Sequence, residues 1–426
     1  MVVTSILAAR PVARFTAPSM LADEPGMRMR PLGSSGIMVS ELGLGTQRWG
    51  STDFNAPNEE VCHTMLDLAV EAGVNLVDTA EQYPIPSGRQ NPEGLTEKII
   101  GSWMAKAPGR REQLVIASKI TGGVNVTPKN LEADLSGSLK RLGTDYLDVY
   151  LLHWPARYTP QANWGQSLEY NHIQGEFGRA GASFEQIAET MGRFVTEGRI
   201  RGWGMCNDNT YGLMGSMMAA KQLGVPGPCV MQNDYSLINR RIEENGLSEA
   251  SAPWNENVGF MAYNTLAGGV LTGKYLDVPA ACDDPNKVRA FGSSMKPRGR
   301  HDEQGWGRTL YRYRSGPATE ATIEYAQIAE RAGMSLTELS LRWCRSRRAC
   351  TSVLLGHTSI PQLVESLDYF SAPPLVEYDN GHQEFLPEEV MWDIDRVHMK
   401  NRLPIFSSTR VEREWGGQGE IGELIP

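Results

Sequence analysis

Eight apolar runs of strand length, nearly all separated by segments of helical periodicity and most ending on a polar residue, predict an α/β protein. The pattern is that of a (β/α)8 TIM barrel with an N-terminal β-hairpin closing the barrel bottom and long active-site loops. The length agrees, since 426 residues at 41% hydrophobic content can bury a barrel core in one domain. So does the stretch from Gly73 to Tyr83: Val74 to Val77 reads as a buried parallel strand, Asp78 stands where it leaves the core, and Tyr83 follows on a loop. Alone, such an Asp and Tyr would most often be a turn cap and an ordinary half-buried aromatic. The recurrence of polar residues at successive strand ends gives the pair its weight.

Met27 to Ser40 forms the hairpin, turning around Gly33 and Gly36, and Leu42 to Thr46 is the first barrel strand. Gly43 and Gly45 do not make a dinucleotide fingerprint, because Arg48 stands where the third glycine belongs. A helix with Val61, Met65, Leu68 and Ala72 on its core face ends at Gly73, and the strand to Asp78 follows. Leu95 to Ala105 is helical, and Leu114 to Ser118 is a strand with Lys119 at its end. Thr127 caps a helix opened by Pro128, with Leu131, Leu135, Leu139 and Leu142 on one face and Gly143 as its stop. Tyr146 to Leu152 delivers His153. After a loop rich in aromatics (Tyr158, Trp164, Tyr170, Phe177), Ser183 and Gln186 form a capping box for the helix bearing Ile187, Met191 and Val195.

Ile200 to Met205 runs into Cys206 and Asn207, Cys229 to Met231 ends at Gln232, and Val258 to Ala262 ends at Tyr263. The helix between the first two carries Met214, Met217 and Met218, whose helical spacing predicts core packing. Leu276 to Gly316, rich in Arg, Gly and Pro and without periodicity, reads as a flap. Helices from Ala318 to Ala332 and from Leu336 to Arg345, the second with a capping box at Ser335 and Glu338, precede the strand Ser352 to Leu355 and a last helix from Ile360 to Phe370. The domain reading is a barrel over 27–372 and a C-terminal extension over 373–426. Residues 1–26 are a transit peptide or a disordered tail, since the first 22 residues hold Arg10 and Arg14 and no acid. Location is therefore cytoplasmic or, with a transit peptide, organellar.

A net charge of −9 with dispersed basic residues argues against nucleic acid or an anionic membrane as main partner, and no apolar run reaches the ~18 residues of a membrane span. The six cysteines show neither paired spacing nor a histidine cluster, so no disulfide framework and no metal site is expected. A small-molecule ligand is the default. Oligomeric state is not legible.

Barrels of this class place chemistry at the C-terminal strand ends, here Thr46, Asp78, Lys119, His153, Asn207, Gln232, Tyr263 and Gly356, with Tyr83 on the same rim. A free phenol titrates near 10, and an ammonium beside it favours its anion; lowering it by about three units needs about 4 kcal/mol. Lys119 would supply that charge, Asp78 would hold Lys119 ionised, and His153 would orient a substrate oxygen. A tyrosine acid without nucleophile or metal suits carbonyl reduction by hydride from a nicotinamide. Asn207 and Gln232 offer amides for its carboxamide, and Tyr263 a flat face for its ring.

The stretches Leu-Gly-Leu-Gly-Thr46, Val-Asp-Thr-Ala-Glu-Gln-Tyr83, Ala-Ser-Lys119, Asp-Tyr-Leu-Asp-Val-Tyr-Leu-Leu-His-Trp154, Gln-Asn-Asp-Tyr-Ser-Leu237, Leu-Ala-Gly-Gly-Val-Leu-Thr-Gly-Lys-Tyr275 and Leu-Leu-Gly-His-Thr358 resemble the aldo-keto reductase family, especially its Tas-like branch and the related potassium-channel β subunits. The resemblance implies a catalytic tetrad of Asp78, Tyr83, Lys119 and His153, with Tyr83 the general acid in reduction of an aldehyde or ketone, and NADP(H) as cofactor lying extended with its nicotinamide on Tyr263. It implies cofactor contacts at Asn207 and Gln232 to the carboxamide, at Leu266 to Gly268 and Lys274 to the pyrophosphate, and at Thr358, Gln362 and Glu365 to the adenosine, with Thr46 and Gly356 completing the set. It also admits a redox-sensing regulatory subunit with slow turnover. Cys206 departs from the family's usual Ser and Ser366 from its usual Asn. No Arg or Lys lies within 356–366, where many members grip the 2′-phosphate, so arginines of the flap would have to supply that charge. Trp49, Trp154 and Trp164 would line an aromatic pocket open to many carbonyl compounds. In the family the C-terminal loop can border that pocket.

Overall fold

The structure, a computed structural model, describes residues 26–53, 55–160, 170–177, 180–276, 299–302 and 310–407. The N-terminal segment, Trp164, most of the flap and the chain beyond Ser407 lie outside the described residues. β1 (Met29–Pro31) and β2 (Met38–Ser40) form the antiparallel hairpin. The barrel strands are β3 (Leu42–Gly45), β4 (Leu76–Asp78), β5 (Val115–Ile120), β6 (Leu147–Leu152), β7 (Ile200–Cys206), β8 (Val230–Asp234), β9 (Gly259–Tyr263) and β10 (Ser352–Leu355). All neighbours in the barrel are parallel, and β10 closes on β3 with Leu354 opposite Gly43, so the barrel itself has no edge strand. The predicted strands are all present, most with ends moved by a residue or two.

Around the barrel stand α1 (Glu59–Glu71), α2 (Leu95–Met104), α3 (Pro128–Leu142), α4 (Phe184–Thr196), α5 (Thr210–Leu223), α6 (Gly316–Arg331), α7 (Leu336–Ser346) and α8 (Ile360–Ser371). Between β8 and β9 the crossover carries two short helices, Arg241–Glu244 and Leu247–Ser251. The caps follow the sequence. Thr127 accepts the Asn130 N–H, Gly143 ends α3 at φ 69°, and Ser183 and Gln186 cap α4 reciprocally. Ser335 accepts the Glu338 N–H, while the Glu338 carboxylate pairs with Arg342 at 2.8 Å. No helix among the described residues is long and apolar enough to cross a membrane.

Strand periodicity sorts the barrel into two cores. Residues pointing outward join the helices in the larger core; Leu76, Val115, Ala117, Val149, Leu151, Val230, Met261 and Leu354 pack in the barrel interior. Leu32, Ile37 and Val39 of the hairpin belong to that inner cluster and close it from below. Gly33 makes the closure possible: its φ is +56°, and a Cβ there would stand 2.5 Å from the Cys229 carbonyl.

One packing expectation is corrected. Met218 of α5 is 57% exposed and Met214 is half-buried, while Met217, also half-buried, packs against the core as expected; the face turned inward is Leu213, Ser216, Ala219 and Ala220. Small residues let α5 approach α4 closely, and the methionines flank the contact. Beyond α8, β11 (Val376–Glu377) pairs with β12 (Gln383–Glu384), and α9 (Glu388–Lys400) lies on α6, with Arg331 bonded to Asp393 at 3.0 Å and Arg240 to Asp395 at 2.7 Å. No described residue after Ala372 lines the cleft described below.

Candidate active site

Because side chains alternate along a strand, residues two positions above the apolar interior layer face the top of the barrel. These are Asp78 above Leu76, Lys119 above Ala117, His153 above Leu151, Gln232 above Val230, Tyr263 above Met261 and Gly356 above Leu354. The register aligns them laterally, with Gly45 opposite Asp78 and Cys206 opposite Gln232. All except Lys119 line one cleft, together with Thr46, Trp49, Tyr83, Trp154 and Asn207, with about 1340 Å³ of atom-free space between its walls. Lys119 is completely buried just behind that wall.

The buried hydrogen bonds tie these groups into one unit. Lys119 Nζ donates to Asp78 Oδ2 at 2.7 Å and to the Thr79 carbonyl at 2.7 Å, and Gln232 Nε2 donates to Asp78 Oδ1 at 2.7 Å. Both oxygens of Asp78 are thus engaged, by partners 41 and 154 residues away. Lys119 Nζ also lies 5.0 Å from the centre of the Tyr83 ring, and that ring meets His153 edge-on at 5.6 Å. Trp154 stacks on His153 at 6.1 Å. Asn207, at φ +58°, donates from Nδ2 to the His153 carbonyl at 2.9 Å and accepts the Tyr263 hydroxyl through Oδ1. The left-handed backbone at that strand exit suits Asn. Thr46 secures the Asp78 carbonyl through both its N–H, at 3.1 Å, and its hydroxyl, at 2.8 Å.

Electrostatics divides the acids from the bases. Burial penalises the Lys119 ammonium, but Asp78, with Tyr83 and Cys206, outweighs it and holds Lys119 above its ordinary value. Burial raises the Tyr83 phenol; Lys119 pulls it down and Asp78 pushes it up, and the net direction is upward. Lys119 thus lowers the phenol as expected, but the expected net lowering is corrected, because burial outweighs the ammonium and Asp78 offsets part of its field. Tyr83 stays a neutral proton donor at neutral pH. Burial, then Lys119, hold His153 far below the ordinary imidazole value, so it is uncharged, and its Nδ1 has no hydrogen-bond partner among the described residues. Burial likewise raises the Cys206 thiol, which stays protonated and donates to Gln232 Oε1 at 3.5 Å.

The remaining predicted binding residues fall into two groups beside the cleft. After Tyr263 the chain enters a turn with positive φ at Asn264, Ala267, Gly268 and Gly269, which presents Leu266 to Gly268. Lys274 folds back over it, its Nζ 5.2 Å from the Tyr275 ring. On the other side, Thr358 and Gln362 border a shallow depression with Asn58 and Ser359, Gln362 Oε1 accepting the Thr358 N–H at 2.9 Å. Glu365 is bonded to the Tyr369 hydroxyl at 2.8 Å. No Arg or Lys lines this depression among the described residues.

Several lining residues were not anticipated. Asp234 follows Gln232 by two positions and would have been found from strand parity; Arg312 Nη2 at 3.0 Å and the Tyr313 hydroxyl bond to it. His357 sits in the quoted motif between Gly356 and Thr358, with Nε2 on Ser366 Oγ at 2.9 Å and Nδ1 unpartnered among the described residues. Arg300 reaches from within the flap to Gln47 Oε1 at 2.9 Å, and its neighbour His301, behind the cleft wall, rests on the Ala267 carbonyl at 3.2 Å. No sequence periodicity signals these last two. Unpartnered imidazole nitrogens and Arg241, Arg300 and Arg312 on the wall of one cleft, with a glycine-rich turn beside it, suit a nicotinamide dinucleotide. Among the described residues no group of three His, Cys, Asp or Glu side chains could hold a metal ion.

Comparison with known proteins agrees with this geometry. The profile of the Aldo/keto reductase family matches residues 41–384. "Protein tas" of Escherichia coli (strain K12) is 33% identical over 393 residues, covering 89% of this chain and 99% of that protein, and "Protein tas" of Shigella flexneri gives the same values. An "Aldo-keto reductase" of Babesia bovis is 31% identical over 306 residues, or 69% of this chain and 98% of the relative. With its closed parallel barrel and a match over most of its length, the chain belongs to the aldo/keto reductase family, a family of oxidoreductases.

Proposed function

We propose that the chain reduces an aldehyde or ketone to the alcohol with NADPH, Tyr83 serving as general acid. The observation that carries this reading is the Asp78, Lys119, Tyr83 and His153 group on one rim, with Asp78 bonded to Lys119 at 2.7 Å and Tyr83 packed between Lys119 and His153. NADPH, when bound, would supply the hydride that the carbonyl carbon accepts. As the C=O π bond breaks, its electron pair takes the Tyr83 proton, and the phenolate left behind faces the Lys119 ammonium. A proton from solvent then restores the phenol. Uncharged His153 holds the carbonyl oxygen in line, and Trp49 and Trp154 give the substrate apolar walls.

The cofactor would lie with its nicotinamide on Tyr263, near Asn207 and Gln232, its pyrophosphate at Leu266 to Gly268 with Lys274, and its adenosine toward Thr358, Gln362 and Glu365. Thr46 and Gly356 would floor the cleft. Arg241, Arg300 and Arg312 line the cleft itself and suit the negative charge of a dinucleotide, while the depression beside Thr358 and Gln362 holds no Arg or Lys among the described residues, so the choice of NADPH over NADH rests on the family resemblance. The test is NADPH oxidation with a panel of small aldehydes, for the native protein and Tyr83→Phe, with NADPH and NADH titrations. Native turnover, a loss of about 10²-fold or more in Tyr83→Phe and retained NADPH binding are expected. Binding of NADPH no tighter than NADH would remove the cofactor assignment. Native rates far below about 1 s⁻¹ on every carbonyl compound would point instead to a redox-sensing subunit.

A further inference from the structure

The loop that carries Tyr83 is fastened to β5 by a side chain that the proposed chemistry does not use. Glu81 donates its backbone N–H to the Lys119 carbonyl at 3.2 Å, and its Oε1 accepts the Thr121 N–H at 2.5 Å. One residue of the loop is thus bonded on both sides of Ile120, immediately after Lys119. Upstream, Thr79 N–H reaches the Ala117 carbonyl at 2.8 Å, so Glu81 extends the strand pairing past the end of β4. Two residues later comes Tyr83.

The groups around Glu81 come from every neighbouring element. Asp134 of α3 pairs with its carboxyl. Glu97 of α2 and the buried Tyr150 hydroxyl of β6, which has no hydrogen-bond partner among the described residues, complete the surroundings, with Glu93 beyond Asp134 and Lys119 on the far side of β5. Arg141 of α3 is bonded to Glu97 at 2.6 Å, and Ser118 Oγ donates to the other Glu97 oxygen at 2.6 Å. That guanidinium therefore already answers Glu97, and Glu81 and Asp134 face each other.

We propose that Glu81 is a positioning residue: its carboxyl, paired with Asp134, clamps the Tyr83 loop to the end of β5 just past Lys119 and so sets the spacing between Tyr83 and Lys119. The kinetic consequence rests on the reductase reading; the clamp itself does not. Burial, against the Thr121 bonds and helped by Asp134 and Glu97, pushes the Glu81 carboxyl up to about 7. Below that pH the carboxyl pair shares a proton. Above it both facing carboxyls ionise, and their mutual repulsion loosens the pairing that holds the clamp.

The experiment compares the native protein, Glu81→Gln and Glu81→Ala with NADPH and 4-nitrobenzaldehyde from pH 5.5 to 9, and follows amide hydrogen exchange at Thr121 and Tyr83 in the cofactor-free proteins. Glutamine keeps the acceptor for Thr121 and cannot lose a proton. The native kcat should fall through an inflection near pH 7 that Glu81→Gln lacks, while Glu81→Gln stays within about threefold of native at low pH; Glu81→Ala should lose about tenfold or more in kcat with little change in KM. Exchange at Thr121 and Tyr83, corrected for intrinsic rates, should speed up in Glu81→Ala and in the native protein above pH 7. An inflection that persists in Glu81→Gln, or native kcat and native exchange in Glu81→Ala, overturns the proposal. If no protein turns over, the reductase reading fails, and unchanged exchange in Glu81→Ala still overturns the clamp.

Discussion

At the bottom of the barrel, Leu32, Ile37 and Val39 seal an apolar interior, and the polar groups around them are answered. Glu41 takes Arg30 at 2.6 Å and Arg345 at 3.0 Å, Ser352 bonds to the Ser40 carbonyl, and Asn75 fills the gap between Ser40 and Met38. At the top, the same strands end in Asp78, Lys119, His153, Gln232 and Tyr263, and polar atoms of Gln82, His153, Asn233 and His357 have no hydrogen-bond partner among the described residues. Two ends built from one set of strands thus differ in whether their polar groups are satisfied. Unsatisfied buried groups are costly, and those that line the cleft are placed for a bound molecule to satisfy. Stability and chemistry should therefore separate along the barrel axis.

The largest effect expected is at the top. Lys119→Met leaves Asp78 buried without its ion partner and should cost about 3–5 kcal/mol in denaturant unfolding, together with about 10²-fold or more in kcat. A variant of normal rate would break the comparison. Ile37→Ala, at the bottom, should cost about 2–5 kcal/mol by the same unfolding measurement and leave kcat and KM unchanged. A changed rate there would show that the two ends are coupled.

A smaller effect comes from protons. Burial pushes His357 down to about 4, so the folded state binds fewer protons than the unfolded chain below pH 6.5. The stability this neutral imidazole contributes is full above about 6.5 and is lost as pH falls through 4, by up to about 3 kcal/mol. His357→Gln should flatten the acid side of the stability profile by that amount; an unaltered slope would contradict it. Smallest of all, Met218→Lys on the exposed flank of α5 should shift stability by no more than about 0.5 kcal/mol and leave activity alone. A loss of 2 kcal/mol or more would restore that methionine to the core.

The strand order, the closing hairpin, the caps at Thr127 and Ser183 and the rim positions from Asp78 to Tyr263 were legible in the sequence, because periodicity and cap chemistry are local signals. What was not legible depends on distant partners. Nothing near Gln232 tells that its amide bonds to Asp78, 154 residues away. Nothing in the flap's composition places Arg300 on Gln47 or His301 on Ala267. The direction of the Tyr83 shift turned on the degree of burial, which no pairing of residue types conveys. Met217 of α5 packs against the core as expected, and Met218 misled because helical spacing tells which residues share a face and leaves open which face turns inward.

The most direct test of the claim that the top of the barrel transfers a hydride beside Tyr83 is an isotope measurement. The native protein and Tyr83→Phe are incubated with 4-nitrobenzaldehyde and NADPH carrying deuterium in the transferable C4 position, and the alcohol is analysed by mass spectrometry. One deuterium per molecule on the former carbonyl carbon with the native protein, and at least 10²-fold less labelled alcohol with Tyr83→Phe at equal cofactor occupancy, is the result expected. Alcohol formed at the native rate by Tyr83→Phe, or formed without the label, would contradict it.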